Sequence, residues 1–195
     1  MSSWRETISR HADENPTPIS FNPSVRYLQD DEYCRTLHED LQRLGGHWER
    51  RKATTDLGEM LPASPGLYMF IWVRHRLLGN VSNNSDFFFN WCLYVGQAGA
   101  DSNNTLRSRY KQEYRKYLEA KDPEIFWSTD KSTSRKNRLQ KVLSLEPIEY
   151  WYVQIDDQTK INNLESRLIK LLNPPGNHQG LALRPQASRP AFRTY

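Results

Sequence analysis

Residues 65–73 read PGLYMFIWV, and residues 87–96 read FFFNWCLYVG. Both runs are rich in the aromatic and β-branched residues that fit an extended, half-buried chain. A polar loop of roughly residues 75–86 separates them. The two runs therefore predict two neighbouring strands. Because their apolar character is almost continuous, we expect central strands that are covered on at least one face.

The helical spacing of apolar residues predicts helices around these strands. One helix begins at Asp30 or Asp31 and ends at Gly45-Gly46, and a second begins near Thr105. A third strand is expected at residues 148–155, followed by a helix that starts at Asp156 or Thr159 and stops at Pro174-Pro175-Gly176. The predicted buried positions of the helices are Tyr33, Leu37, Leu41 and Leu44, then Leu106, Tyr110, Tyr114 and Tyr117, then Ile161, Leu164, Leu168, Leu171 and Leu172.

This order of elements predicts an α+β fold with a small, mainly antiparallel, three-stranded sheet flanked by helices. Residues 1–61 would form an N-terminal arm and helix, of which residues 1–27 look irregular. Residues 62–180 would form the main domain, and residues 181–195 a loose basic tail. Residues 129–141 carry five basic side chains and show no apolar face except Leu139.

The charge of the chain is unevenly distributed. Residues 1–100 hold 10 basic and 12 acidic side chains, for a net charge of −2, whereas residues 101–195 hold 17 and 11, for +6. A polyanion would therefore be expected at the second half, although such asymmetry also serves solubility. There is no apolar run of 18 residues and no apolar leader at the start. Two cysteines make no disulfide framework, so we expect a cytoplasmic protein without membrane partners.

Glu165 lies beside an apolar helical stripe, because Ile161 precedes it by four residues and Leu168 follows it by three. A carboxylate at the edge of a buried face is costly unless it is paired or binds a cation. Two explanations remain open at this point. Glu165 either forms an ion pair with Arg109 or Lys170, or it holds a metal ion.

The two strand-like runs each carry a tyrosine beside a glycine, as Gly66-Leu67-Tyr68 and as Tyr94-Val95-Gly96. Together they resemble the two-part signature of the GIY-YIG nuclease superfamily. Further matches follow in that family's order, over residues 64–178: an arginine in the first turn of the next helix, a metal-binding glutamate on the last helix, and an asparagine twelve residues later. The five matching positions are Tyr68, Tyr94, Arg109, Glu165 and Asn177.

The resemblance implies a metal-dependent endonuclease, with Mg²⁺ or Mn²⁺ bound by Glu165. Arg109, with Arg107 as the fallback, would contact the scissile phosphate. Tyr68 would act as the general base, and Tyr94 would position the water or the phosphate. Because tyrosinate would be the working form, we expect activity to rise from neutral to mildly alkaline pH. Without the resemblance, both tyrosines would be read as sheet core.

One departure from the family concerns a third aromatic residue. Many members carry a Tyr or His four residues after the arginine, but here that position is Glu113. Tyr114 and Tyr110 are the alternatives, and the sequence does not choose between them.

Basic residues of the second half would follow phosphates of double-stranded DNA rather than read bases. The candidate nucleic-acid-binding residues are Arg74, Arg107, Lys131, Arg135, Lys136, Arg138 and Lys141. The chain has no zinc-ligand cluster, and its layout is similar to stand-alone, restriction-type or phage-defence members, for which a homodimer is expected. Two rival interpretations are a catalytically idle nucleic-acid-binding module and an adaptor for an acidic protein.

Overall fold

Four strands form one antiparallel sheet in a computed structural model that describes residues 4–10, 21–44, 47–75, 88–99, 103–127 and 134–177. The strands are β1 (Glu49–Lys52), β2 (Gly66–His75), β3 (Phe88–Ala98) and β4 (Ile148–Gln154), and their order across the sheet is β1-β4-β2-β3. The predicted α+β class is confirmed, but the prediction of three strands was wrong. β1 reads ERRK and is exposed along its length, so it lacks the alternation of apolar and polar residues that marks a strand.

Helices surround the sheet within the described ranges. They are α1 (Trp4–Arg10), α2 (Val25–Leu28), α3 (Asp31–Arg43), α4 (Leu57–Met60), α5 (Leu106–Arg109), a π-helical turn (Tyr110–Tyr114), α6 (Arg115–Glu119), α7 (Glu124–Trp127), α8 (Arg135–Leu143), α9 (Gln158–Leu172) and a 3₁₀ turn (Pro175–Asn177). None of these helices is long and apolar enough to cross a membrane. The two cysteines are free thiols.

The predicted helix starts are close to the observed ones because capping residues mark them. Asp30 caps α3 by accepting a hydrogen bond from the Tyr33 N–H, and Thr105 caps α5 in a reciprocal box with Ser108. Helix α9 is capped by Asp157, which lies between the two predicted starts.

Two further sequence interpretations need correction. The arm of residues 1–27 was expected to be irregular, yet it contains α1 and α2. The basic stretch of residues 129–141 was expected to lack an apolar face, yet its second half begins α8, which buries Leu139, Val142 and Leu143. Val142 and Leu143 lie beyond the basic stretch, so the amphipathic pattern appears only when the residues after 141 are included.

Strand β2 is an inner strand of the sheet, paired with β3 on one side and β4 on the other, and it positions the residues of the site. Tyr68 of β2 faces Gly96 of β3 on one side and Tyr152 of β4 on the other. The pairing with β3 shifts after Phe70, which makes one residue of β3 extra and forms a β-bulge. A bulge interrupts the two-residue alternation of side chains, which is one reason why β3 reads as a continuous apolar run.

The two faces of the sheet have different character. One face is aromatic and is covered by α4, α5, the π turn, α6 and α8, whereas the other is aliphatic and is covered by α3 and α9. The buried aromatic residues of the first face are Tyr68, Phe70, Tyr94, Tyr110, Tyr114, Tyr117, Tyr150 and Tyr152. Both aromatic runs were expected to be central strands covered by packing. This is confirmed for β2 but was wrong for β3, which lies at the edge of the described sheet, where Asn177 pairs with its backbone.

Candidate active site

Tyr68 is completely buried at the middle of the aromatic face. Its ring lies over Gly96, and a methyl group added at Gly96 would collide with the Tyr68 hydroxyl and ring. A residue without Cβ is therefore needed opposite Tyr68. The two halves of the sequence signature thus meet in one contact across the β2–β3 pair.

The hydroxyl of Tyr68 is paired with the hydroxyl of Tyr114, 2.5 Å away, and either oxygen can be the donor. Burial raises the pKa of Tyr68 well above its ordinary value. The hydrogen bond from Tyr114 and the charge of Arg109 offset part of this effect. The same desolvation raises the pKa of Tyr114 and of Tyr150, which stacks on Tyr68 with ring centroids 5.3 Å apart.

The π-helical turn decides which aromatic residue enters the site. In an α-helix the residue four positions after Arg109 would share its face, and that residue is Glu113. A π turn contains one extra residue, so the position five after Arg109 takes that place instead. Tyr114 consequently reaches Tyr68, whereas the Tyr110 hydroxyl points away and donates to the Thr54 carbonyl at 2.7 Å.

Tyr94 is 6% exposed, and its hydroxyl accepts a hydrogen bond from Arg135 Nη2 at 2.8 Å. The same nitrogen lies 3.3 Å from the Tyr114 hydroxyl, and the Arg135 guanidinium lies 5.6 Å from the centre of the Tyr94 ring. The three hydroxyls of Tyr68, Tyr94 and Tyr114 are thereby connected to one guanidinium at the first residue of α8.

Glu113 joins the two arginines of the site. Its Oε1 pairs with Arg135 Nη1, and its Oε2 lies 3.3 Å from Arg109 Nε. Arg109 also interacts with the Tyr68 hydroxyl, whereas Arg107 donates from Nε to the Leu61 carbonyl at 2.7 Å. Of the two arginines considered from the sequence, the structure thus places Arg109 beside Tyr68.

Glu165 lies on α9 at the β3 edge of the sheet and is partly buried. Burial raises its pKa, while the charges of Arg109 and Arg135 and a side-chain hydrogen bond from Gln97 act in the opposite direction. Arg109 forms its ion pair with Glu113, so the expected alternative of an Arg109–Glu165 ion pair is not what the structure shows.

Glu165 is the residue that could hold a metal ion here. Within the described residues, no group of three or more His, Cys, Asp or Glu side chains is arranged to bind one. Mg²⁺ nevertheless needs only one or two carboxylates when waters and phosphate oxygens complete its shell. A partly desolvated carboxylate that interacts with two arginines fits that requirement, because guanidinium groups can hold a phosphate beside the ion.

Asn177 does not direct its amide into the cluster of hydroxyls. Its Oδ1 accepts from the Val95 N–H and its Nδ2 donates to the Val95 carbonyl, both at 2.6 Å. The amide therefore pairs with the free edge of β3 between Tyr94 and Gly96. Asn177 is a positioning residue for this strand.

The other candidate nucleic-acid-binding residues occupy different environments. Lys136 is exposed at the start of α8, Arg138 is partly buried, and Lys141 is buried, with 8% exposure. Burial and, to a smaller extent, the charge of Arg135 lower the pKa of Arg138. Lys131 and the side chain of Arg74 lie outside the described residues.

Two members of the site were assigned differently from the sequence. The sequence predicts that Arg135 follows phosphates, whereas in the structure its guanidinium contacts the hydroxyls of Tyr94 and Tyr114. Glu113 was noted only as a departure from the family pattern. The five-residue spacing from Arg109 to Tyr114 is a sequence signal for the π turn that places Glu113 and Tyr114. The sequence offers no comparable signal for the contacts of Arg135.

Comparison with protein-family models, curated proteins and solved structures found no match to this chain.

Proposed function

We propose that this protein is a divalent-metal-dependent endonuclease that hydrolyses phosphodiester bonds in DNA, and that it is related to the GIY-YIG nucleases. One observation carries the proposal. Three tyrosine hydroxyls and two arginines are joined by close contacts, and the partly desolvated carboxylate of Glu165 interacts electrostatically with both arginines. These six residues come from six separate elements of the chain. Their convergence supports a ligand that interacts with both cations and hydroxyls.

The arginines give the site its affinity for phosphate. Planar guanidinium groups bind two phosphate oxygens at once, which an ammonium group cannot do. Glu165 would hold Mg²⁺ or Mn²⁺, and the bound ion would supply positive charge that offsets the charge developing on the phosphate. Burial of Glu165 strengthens this interaction, because charges attract more strongly where water is excluded.

Tyr68 is the proposed general base, and its burial determines the pH range in which it could act as one. Because burial raises its pKa, the tyrosinate form is scarce at neutral pH and becomes more abundant at every higher pH. The Tyr114 hydroxyl and Arg109 stabilise the anion when it forms. The rate should therefore keep rising through the mildly alkaline range.

The choice of partner and the oligomeric state are proposed from the charge of α8 and from the presence of one site per chain. The basic residues Arg135, Lys136 and Arg138 at the start of α8 favour the phosphates of double-stranded DNA as the partner. Cutting both strands with one site per chain requires two copies, so we propose a homodimer of the restriction or phage-defence kind, acting in the cytoplasm.

A catalytically idle nucleic-acid-binding module is the second candidate. The observation that favours it is the complete burial of Tyr68, whose hydroxyl bonds to another tyrosine. This module would bind DNA through the same basic surface and would cut nothing.

Cleavage of plasmid and oligonucleotide DNA with Mg²⁺, Mn²⁺ or EDTA distinguishes the two candidates. Wild type should cut, and both EDTA and Glu165→Gln should abolish cutting while leaving DNA binding in place. Lys170→Gln is a matched control, because it changes an exposed residue on the same helix by one charge. Binding without cutting under every condition would reject the enzyme and support the idle module.

A further inference from the structure

Arg135 contacts the tyrosine hydroxyls of the site in addition to lying among the candidate DNA-binding residues. Its Nη2 donates to the Tyr94 hydroxyl at 2.8 Å and lies 3.3 Å from the Tyr114 hydroxyl. Charged donors make hydrogen bonds about twice as strong as neutral ones, so this guanidinium is fixed over the site.

The carboxylate of Glu113 bridges the two arginines as a phosphate group would. One oxygen faces Arg135 and the other faces Arg109. A phosphodiester carries a single negative charge and two equivalent free oxygens, which is the same arrangement of charge that a carboxylate presents. Glu113 is 16% exposed, so the bridge is largely shielded from water.

The contact between Glu113 and Arg109 is incomplete. Arg109 Nε and Glu113 Oε2 are 3.3 Å apart, but both atoms are buried and neither has a hydrogen-bond partner among the described residues. A buried donor without an acceptor costs free energy, which an incoming oxygen would recover. The side chain of Arg109 is 36% exposed and that of Arg135 45% exposed, so part of each arginine side chain is open to solvent.

We propose that Arg109 and Arg135 form a two-arginine clamp for one phosphate group of the nucleic acid, and that Glu113 is the anion that holds the clamp until the phosphate displaces it. The proposal rests on the proposed phosphodiester hydrolysis for its substrate, but the clamp itself is a binding site for any phosphate. Arg135 is thereby a catalytic residue of the proposed reaction, since it contacts both the phosphate and the tyrosine hydroxyls.

Inorganic phosphate is the first test, because its binding does not depend on cleavage. We expect Arg135→Ala to weaken phosphate binding by about 10- to 100-fold, the range for a lost charged hydrogen bond, and Arg135→Lys by about tenfold. Glu113→Gln should tighten binding by about tenfold, because it removes the competing charge and keeps the shape. Arg115→Ala should match wild type, since Arg115 pairs with Glu119 on the surface and lies outside the site.

Calorimetric titration of each variant with phosphate gives these affinities, and circular dichroism confirms that each is folded. Equal affinities for wild type and Arg135→Lys, or weaker binding by Glu113→Gln, would overturn the clamp. Arg135→Lys and Glu113→Gln keep the test decisive if Arg135→Ala does not fold.

Cleavage of an oligonucleotide duplex at saturating concentration separates this proposal from the function it rests on. A drop of about tenfold or more in kcat for Arg135→Lys, with Arg115→Ala unchanged, supports the clamp as part of the reaction. If the phosphate affinities of wild type and the variants follow the predicted order but wild type cuts no DNA, the clamp stands and the endonuclease proposal fails. If wild type cuts DNA and Arg135→Lys cuts equally well, the clamp fails and the endonuclease proposal stands.

Discussion

The buried tyrosine cluster predicts that this protein unfolds in alkaline solution as its phenols ionise. Tyr68, Tyr114 and Tyr150 are fully buried, and burial raises the pKa of each well above the ordinary value of 10.0. A group with a raised pKa in the folded state stabilises the fold below its unfolded pKa. That contribution is lost as the pH rises above it.

The size of the effect follows from the unfolded chain alone. At about pH 11, a phenol with a pKa of about 10 favours the unfolded state by about 1.4 kcal/mol, so three buried phenols together favour it by about 4 kcal/mol. At about pH 12 the same three favour it by about 8 kcal/mol, which is comparable to the total stability of an ordinary domain. We therefore expect cooperative unfolding between about pH 11 and 12.

Near-ultraviolet absorbance of tyrosinate and far-ultraviolet circular dichroism, recorded on the same sample, test this prediction. Part of the absorbance change should appear only at the pH at which the helical signal is lost. In concentrated guanidinium, all ten tyrosines of the chain should titrate together, which provides the reference. Tyr68→Phe should reduce the dependence of the unfolding free energy on pH by about 1.4 kcal/mol per pH unit.

The reasoning is refuted if all the tyrosines titrate reversibly near pH 10 with the fold intact. Such a result would mean that solvent reaches the hydroxyl cluster. It would also mean that the pKa of Tyr68 is lower than its burial predicts, so Tyr68 would ionise more readily as a base.

Four further predictions follow from the same contacts. Gly96→Ala should destabilise the fold by about 1–3 kcal/mol in denaturant titrations, because its methyl group collides with Tyr68; an unchanged midpoint would contradict this packing. Asn177→Ala should cost about 1–3 kcal/mol, because it leaves the Val95 N–H and carbonyl unpaired, and hydrogen exchange at Val95 should accelerate. Glu165→Gln should melt no lower than wild type near neutral pH, since burial raises the pKa of Glu165 and penalises its charge, and Mn²⁺ should raise Tm only in wild type. The cleavage rate should rise up to about tenfold per pH unit from about pH 7 to 9, with no plateau, if Tyr68 is the base; a flat profile would exclude that role.

The sequence predicted the elements whose pattern is local. The aromatic runs, the capping residues Asp30 and Thr105 and the spacing of apolar residues located β2, β3 and β4 and the starts of α3 and α5. These features depend on neighbours within a few residues, which a single sequence contains.

The sequence did not predict elements that depend on distant partners. β1 consists of four exposed charged residues and exists because β4 offers it a free edge, with ion pairs such as Arg50–Glu149 across the pair. Helix α8 is amphipathic only when its last turn is included, and its apolar residues pack on the aromatic face. Local propensity carries no information on either partner.

Within the site, the sequence identified candidate side chains but not the partners that each one contacts. It left Tyr110 and Tyr114 as alternatives, because choosing between them requires knowing that the helix contains a π turn. It grouped Asn177 with the chemical residues, although the amide pairs with the backbone of Val95. Roles of this kind depend on geometry at the level of single atoms.

The charged side chains of the site sum to zero, and this sum affects how a metal ion and a phosphate would bind together. Arg109 and Arg135 contribute two positive charges, and Glu113 and Glu165 contribute two negative ones. A divalent cation alone would add two positive charges beside two guanidiniums, and a phosphate alone would add one negative charge beside two carboxylates. Both ligands together leave one positive charge, and the extra negative charge of the transition state would cancel it. We therefore expect each ligand to strengthen the binding of the other, and we expect the site to favour the transition state over the bound substrate.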